Sequence, residues 1–237
     1  AAKGSGKAAT AGYAFFETRS GYYFVSYDYF AKQVPVTRMV VGHEKSELED
    51  DDDKGITAVD KVTIESSVDL FKGLNYGSYS SNVMTLDLAN MKFEQHPFSI
   101  NKYYKDVSVM NSRKTPEFYK GFDTQATYTR IMTKISDSAL FTEGEYTQGF
   151  TKQLSQSSLR EKLFYNKKVT VELVSDYQLE IGEVVQLDIY KGSSDRKQDF
   201  TNSGKYVIGK VERTFKSSED KMSTRLTLYT DSDGAES

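Results

Sequence analysis

The chain contains no cysteine and no tryptophan, and only three prolines and two histidines among its 237 residues. Without thiols there can be no disulfide, no thiolate nucleophile and no zinc–thiolate site, and the composition suits a reducing compartment. The two histidines, His43 and His96, do not stand at helical spacing from other metal-type ligands, so no metal centre is written here and no cofactor is expected. No apolar run approaches the roughly 20 residues that a membrane helix needs. The formal net charge of −3 supplies no global basic field to recruit nucleic acid or an anionic membrane. The opening AAKGSGKAATAG is basic but has no apolar stretch, unlike a signal peptide. Residues 1–12 read as a flexible Gly/Ala/Ser linker with something else expected before it.

Motifs for chemistry are equally scarce. Gly4–Lys7 (GSGK) looks like part of a phosphate loop, but Ala1 stands where the first glycine belongs and Ala8 where Ser or Thr must follow the lysine. Asp50–Gly55 lacks the bidentate glutamate of a calcium loop, because Lys61 holds that place. The acidic run around 47–54 therefore reads as a solvated loop. No serine lies in a nucleophile elbow, since GLNYG at Gly73–Gly77 centres on Asn75. No carboxylate pair stands out for glycoside cleavage. Lys102, Lys105, Arg113, Lys114 and Lys120 alternate with Tyr103, Tyr104, Tyr119 and Phe122, a mixture that could grip single strands by stacking. The acidic overall balance favours snorkelling lysines on a polar subdomain instead. The expectation is a protein that is not an enzyme.

What the sequence does have is aromatic residues, with 17 Tyr and 14 Phe. Nine of them fall between Tyr13 and Phe30. Two strands, Tyr13–Phe16 and Gly21–Tyr29, are expected around a turn closed by Ser20-Gly21. On the second strand Tyr23, Val25, Tyr27 and Tyr29 would share one face, and Tyr22, Phe24, Ser26 and Asp28 the other. Both faces start with aromatics, so cover on two sides is expected: core on one, and on the other either core again or a neighbouring subunit. Residues 31–41 read as extended, with Pro35 limiting helix. Thr57–Ile64 reads as a strand; Ile64, Val68 and Phe71 then fall at helical spacing with Gly73 as a cap. Strands follow at Tyr79–Leu88 and Met91–Ile100. The polar stretch 101–165 holds one strand (Gln125–Ile135) and one helix (Thr151–Phe164). Lys168–Val174 alternates cleanly, as do Val185, Leu187 and Ile189, and Lys205–Phe215 pairs with Ser223–Thr230 as a hairpin. The fold class is mainly β, a small antiparallel barrel or sandwich with short helices.

Three stretches in order carry a resemblance: Phe15–Phe24 (FFETRSGYYF), Gly73–Asp87 (GLNYGSYSSNVMTLD), and the tail pattern L-x-x-G-x-x-V-x-L, S-G-x-Y-x-I, T-x-L-x-L. The tail pattern runs over Leu179–Leu187, Ser203–Ile208 and Thr224–Leu228. The chain in this respect resembles the baseplate hub proteins of contractile-tailed bacteriophages of the T-even kind. The resemblance implies a homotrimer in the virion baseplate, assembled in the host cytoplasm. It would contact the tail tube protein, the central spike and the baseplate wedge proteins, with DNA only in transit and no membrane. It implies a tube-type β-barrel from 62–100 plus 166–230, with 101–165 inserted as a peripheral subdomain. Residues 13–61 would be the hairpin region of an adjoining domain, and 231–237 a tail. A second barrel, expected before the hairpin, is not legible. The resemblance also gives two candidate surfaces. Tyr22, Phe24, Tyr27 and Tyr29 are expected at a subunit interface, and Glu183, Gln186 and Asp188 are expected to face a channel. An accessory carbohydrate-binding or glycan-cleaving virion protein is the alternative reading, and a single-strand nucleic-acid binder a third.

Overall fold

The computed structural model describes residues 12–42, 56–66, 80–99, 108–114, 130–136, 145–165, 167–173, 178–191, 197–216 and 221–234. They are mostly strand. In chain order the first half runs β1 (Tyr13–Thr18), β2 (Gly21–Ser26), α1 (Tyr27–Lys32), β3 (Arg38–Val41), β4 (Ile56–Ala58), β5 (Lys61–Ser66), β6 (Ser81–Asp87) and β7 (Lys92–Phe98). The second half runs β8 (Arg113–Lys114), β9 (Arg130–Ser136), α2 (Glu145–Phe164), β10 (Lys167–Leu173), β11 (Val184–Lys191), β12 (Lys197–Gln198), β13 (Gly204–Lys216), β14 (Lys221–Thr230) and β15 (Ser232–Asp233). The chain divides into two compact units: residues 1–13, 68–108 and 117–162 form one, and 14–67, 109–116 and 163–237 the other.

The second unit is organised by one sheet in the order β4-β3-β11-β13-β14-β10-β5, with β12 beside β11. The edge strands β4 and β5 are neighbours in sequence, separated only by Val59 and Asp60. Val59 N–H donates to the Val40 carbonyl on β3 at 3.0 Å, and Asp60 N–H to the Glu172 carbonyl on β10 at 3.0 Å. A flat sheet of this width would hold its edges about 29 Å apart at about 4.8 Å per strand. Three peptide steps reach only about 11 Å. The sheet must therefore roll until the linked ends of β4 and β5 lie within that reach, and 56–66 acts as one bent strand that changes partner at Val59-Asp60.

The period of two decides which side chains enter the roll. Met39, Val169, Val171, Leu173, Val185, Leu187, Ile189, Tyr206, Ile208, Leu226 and Leu228 form its buried interior, joined by Val59 and Val62 from the bent strand. The alternations expected on β10 and β11 are thus realised, and so is the β13–β14 hairpin, whose register slips at Gly209. Tyr229 from the next strand lies over Gly209: a methyl group on that glycine would stand 2.4 Å from the Tyr229 ring.

Side chains of opposite parity point outward. Val184 and Val207 meet Tyr27, Phe30, Met110 and Phe164, with Ala14, Phe16 and Val25 packed beside them. The β1–β2 hairpin and α1 thus lie on the outside of the roll. A two-stranded hairpin is marginal alone, and this one is held by its inner face. The expected strand Gly21–Tyr29 stops at Ser26, because Tyr27, Asp28 and Phe30 are all buried and only a helical turn brings such spacing to one side. Tyr27 and Phe30 both reach Phe164, with ring centroids 4.5 Å and 5.5 Å away.

In the first unit β6 pairs antiparallel with β7 and parallel with β9. The turn follows from Asp87, whose carboxylate accepts the backbone N–H groups of Ala89 and Asn90, while Met91 takes a positive φ of 48°. The break expected at Ala89-Asn90 is where the chain turns.

Several expectations are corrected. Strands from 81–98 do not join the sheet of 167–230 but pair with β9, while residues 38–66, assigned by sequence largely to an adjoining domain, supply β3, β4 and β5 to the roll. Alternation reveals a strand's buried face but not its partner. Ile64 lies on β5 and begins no helix face; Val68 and Phe71 fall outside the described residues. The helix expected at Thr151–Phe164 starts earlier, at Glu145. The supposed tail is structural: Asp231, Ser232 and Asp233 are buried, and β15 pairs with β8.

Candidate interaction surface

The hairpin turn is built locally. The Ser20 N–H donates to Thr18 Oγ1 at 3.2 Å, and Gly21 adopts a φ of +138° that a side chain would resist. Ser20 Oγ and Tyr23 Oη lie 2.9 Å apart. On the inner face Phe16 stacks on Tyr23, centroids 5.5 Å apart, and lies against Gly182. An ion pair of exposed Arg19 with half-buried Glu180, at 3.5 Å, ties the turn to the loop before β11.

The outer face is different. Phe15, Tyr22 and Phe24 are 69%, 71% and 64% exposed. Phe15 and Tyr22 stack in parallel, 6.0 Å between centroids and 3° between planes. Apolar surface of this kind normally finds a partner. Of the residues expected at an interface, Tyr22, Phe24 and Tyr29 are exposed here, whereas Tyr27 is only 6% exposed. Tyr27 packs in the core against Phe164, alongside Val25 and away from the face of Tyr22 and Phe24.

The expected channel residues separate too. Asp188 is buried, its carboxylate held by Arg38 Nε at 2.5 Å, Gln186 Nε2 at 3.0 Å and Gln198 Nε2 at 3.3 Å. It sits in a polar cluster that ties β3, β11 and β12 together. Gln186 belongs to the same cluster, and the Glu183 carboxylate accepts the Glu180 N–H at 2.9 Å in a tight turn. Both are half-buried.

A second polar cluster escaped sequence reading. Asn111 Oδ1 accepts the Lys205 N–H at 2.6 Å. Its Nδ2 donates to the Lys205 carbonyl, Thr230 Oγ1 and the Ser232 carbonyl within 3.1 Å. Asp231 accepts the Met110 N–H at 2.9 Å. Nothing in the local pattern around Asn111 marks it, because its partners lie about a hundred residues away.

Another face of the roll is charged. Lys61, Glu172, Arg225 and Glu212 stand side by side across β5, β10, β14 and β13, alternating in sign. Arg225 bonds Glu172 at 2.7 Å. The hydrogen bond from Lys168 holds the Glu65 carboxyl below its usual range, and Lys210 does the same to Glu212. Among the described residues no group of His, Asp and Glu could hold a metal ion. His96 sits on β7 with Thr85 Oγ1 at 3.2 Å. His43, Gly4–Lys7, the acidic run at 47–54 and most of the basic–aromatic stretch lie outside the described residues.

No protein-family model matches the chain, and no curated protein matches it. Among solved structures, it is similar to the tail protein from Neisseria meningitidis MC58, at 8% identity and a TM-score of 0.38 over 92% of this chain and 50% of that one. It is also similar to a chain of the phage P2 baseplate in its activated conformation with Ca, at 13% identity and a TM-score of 0.27 over 94% of this chain and 50% of that one. The chain thus spans half the length of these solved chains.

Proposed function

We propose that the protein is a structural, non-enzymatic component of a phage-type tail baseplate. In this reading it is a homotrimeric hub that joins a hexameric tail tube to a trimeric central spike, meets the wedge proteins around it, and lines a passage for DNA. The observation that carries self-assembly is the outer face of the β1–β2 hairpin. Three large rings stand in solvent there, while the opposite face of the same hairpin is core. Aromatic side chains concentrate at protein interfaces because they bury much area for little conformational entropy.

The residues of the hub-like sequence pattern support an architectural role. Gly182 makes the turn beneath Phe16, Ser203 Oγ accepts the Ile189 N–H, and Tyr206, Ile208, Leu226 and Leu228 fill the roll. None of them is free to perform chemistry. For the channel we assign the row Lys61, Glu172, Arg225 and Glu212, since charges alternating in sign present little net field for passing DNA to adhere to.

Electron microscopy of the protein with its tail components tests the reading. Three-fold rings with a central channel are expected. Six-fold rings would make it a tube protein, and a lone monomer at every concentration would overturn the reading. One observation favours a second reading: the exposed Phe15–Tyr22 pair, with its rings parallel, offers an aromatic surface on which a sugar ring could stack. Binding to a glycan array, lost in Tyr22→Ala, would support that alternative.

A further inference from the structure

We propose that the aromatic face of the β1–β2 hairpin docks on a second copy of this chain, on the extended segment Lys32–Arg38, so that copies join head to tail. The proposal rests on the self-assembling reading above and names its contact.

The segment between α1 and β3 is a second exposed apolar feature of the same unit. Its side chains alternate, with Lys32, Val34, Val36 and Arg38 outward, and Val34 and Val36 are 82% and 53% exposed. Pro35 fixes its own φ and holds Val34 before it in extended backbone. The Val36 N–H donates to the Val184 carbonyl at 2.8 Å, which fixes the segment to β11. It is a ridge of two branched side chains, where the hairpin is a plate of rings.

Their charges are complementary. Glu17 follows Phe15 by two residues on β1 and shares the exposed face of the plate. The ridge is flanked by Lys32 and Arg38. Arg38 is already engaged by Asp188, but neither Glu17 nor Lys32 makes an ion pair among the described residues. Plate against plate would offer Glu17 no free cation, since Arg19 at the turn is paired with Glu180, and ridge against ridge would set Lys32 against a surface whose own charges are cationic. Plate against ridge joins opposite charges, which selects the heterologous arrangement. Unlike patches joined by a rotation that closes make a ring.

The absence of cysteine gives a clean test. The full chain is made as Tyr22→Cys, as Val34→Cys and as the double variant, and each is treated with a short bismaleimide and run on denaturing gels. The double variant is expected to form covalent oligomers up to the size of the closed ring. Each single variant should stay monomeric, and a mixture of the two should stop at dimers. Cross-linked dimers from Tyr22→Cys alone, or intramolecular products alone from the double variant, would overturn the proposal.

A charge exchange guards against damage from the cysteines themselves. Glu17→Lys and Lys32→Glu should each weaken assembly roughly two- to fivefold, the range of an exposed ion pair, and their combination should restore it. Native mass spectrometry separates the two levels of inference. An intact wild-type oligomer with no cross-link and no charge rescue would remove this contact and leave self-assembly standing. A wild-type monomer would remove both.

Discussion

The ring of Phe16 rests on the bare α-carbon of Gly182. A methyl group at Gly182 would stand 2.3 Å from Phe16 Cζ, and the residue holds a φ of +86°. Gly182→Ala is therefore expected to cost on the order of 1–3 kcal/mol from steric conflict and backbone strain together. In a Phe16→Ala background the steric part disappears, and about 1–2 kcal/mol of backbone cost should remain. Urea melts of the four proteins in this cycle measure the difference; additive losses would refute the contact.

The Arg38–Asp188 pair is asymmetric, with the carboxylate buried and the guanidinium side chain 49% exposed. Arg38→Ala strands a buried charge that Gln186 and Gln198 only partly satisfy. The expected loss is about 2 kcal/mol, below that of a fully buried pair because water reaches the arginine. Asp188→Asn should be milder, and the double variant less harmful than the sum. Thermal unfolding of the single and double variants checks this.

Asn111 fastens residues 109–114 to the end of the roll with four hydrogen bonds. Asn111→Ala leaves several of those partners unsatisfied, and a loss of about 2–3 kcal/mol is expected. Hydrogen exchange should quicken at Lys205, whose N–H loses its acceptor, before the strands deeper in the roll open. Unchanged exchange at Lys205 would contradict the assigned role.

How far could these features be read in advance? The strands of the roll were legible, because Val169, Val171, Leu173 and Val185, Leu187, Ile189 are buried on one face at a period of two. The hairpin turn was legible because Ser20-Gly21 needs a positive φ. Partnership was not. Nothing near Met39 says that it pairs with Leu187, since that information lies in a distant sequence and in the twist of the sheet. Asp188 shows the same limit: an acidic residue alternating with apolar ones reads as exposed, and only Arg38, 150 residues away, explains why it is not. Strand alternation sets Tyr27 with Val25, opposite Tyr22 and Phe24, so its expected place at the interface beside those two did not follow from the period, and the structure buries it with Val25 packed nearby.

Tyr206 supplies a pH prediction. Its hydroxyl donates to the Asn202 carbonyl at 2.8 Å. Burial, with smaller contributions from Asp233 and Asp199, raises its pKa above the usual tyrosine range. A group whose folded pKa is raised contributes stability that is full below its unfolded value, about 10 for tyrosine, and is lost as pH rises above that. Alkaline unfolding should therefore begin above about pH 10, with Tyr206 ionising only as the roll opens. In Tyr206→Phe the alkaline slope should be shallower, although the protein loses about 1 kcal/mol at neutral pH with the hydrogen bond. Ultraviolet titration of phenolate alongside circular dichroism reads both effects.

The bent strand at 56–66 has a further consequence for synthesis. It bridges β3, made just before it, to β10, made far later: Val62 must wait for Val171, as Met39 on β3 waits for Leu187. The early strands therefore spend much of translation as apolar segments without neighbours, in the window when nascent chains are most prone to aggregate. Closure then comes as a late, long-range event. A ribosome stalled before residue 167 would hold a chain whose second unit has no sheet to close, and that unit should depend on chaperones in proportion to the delay.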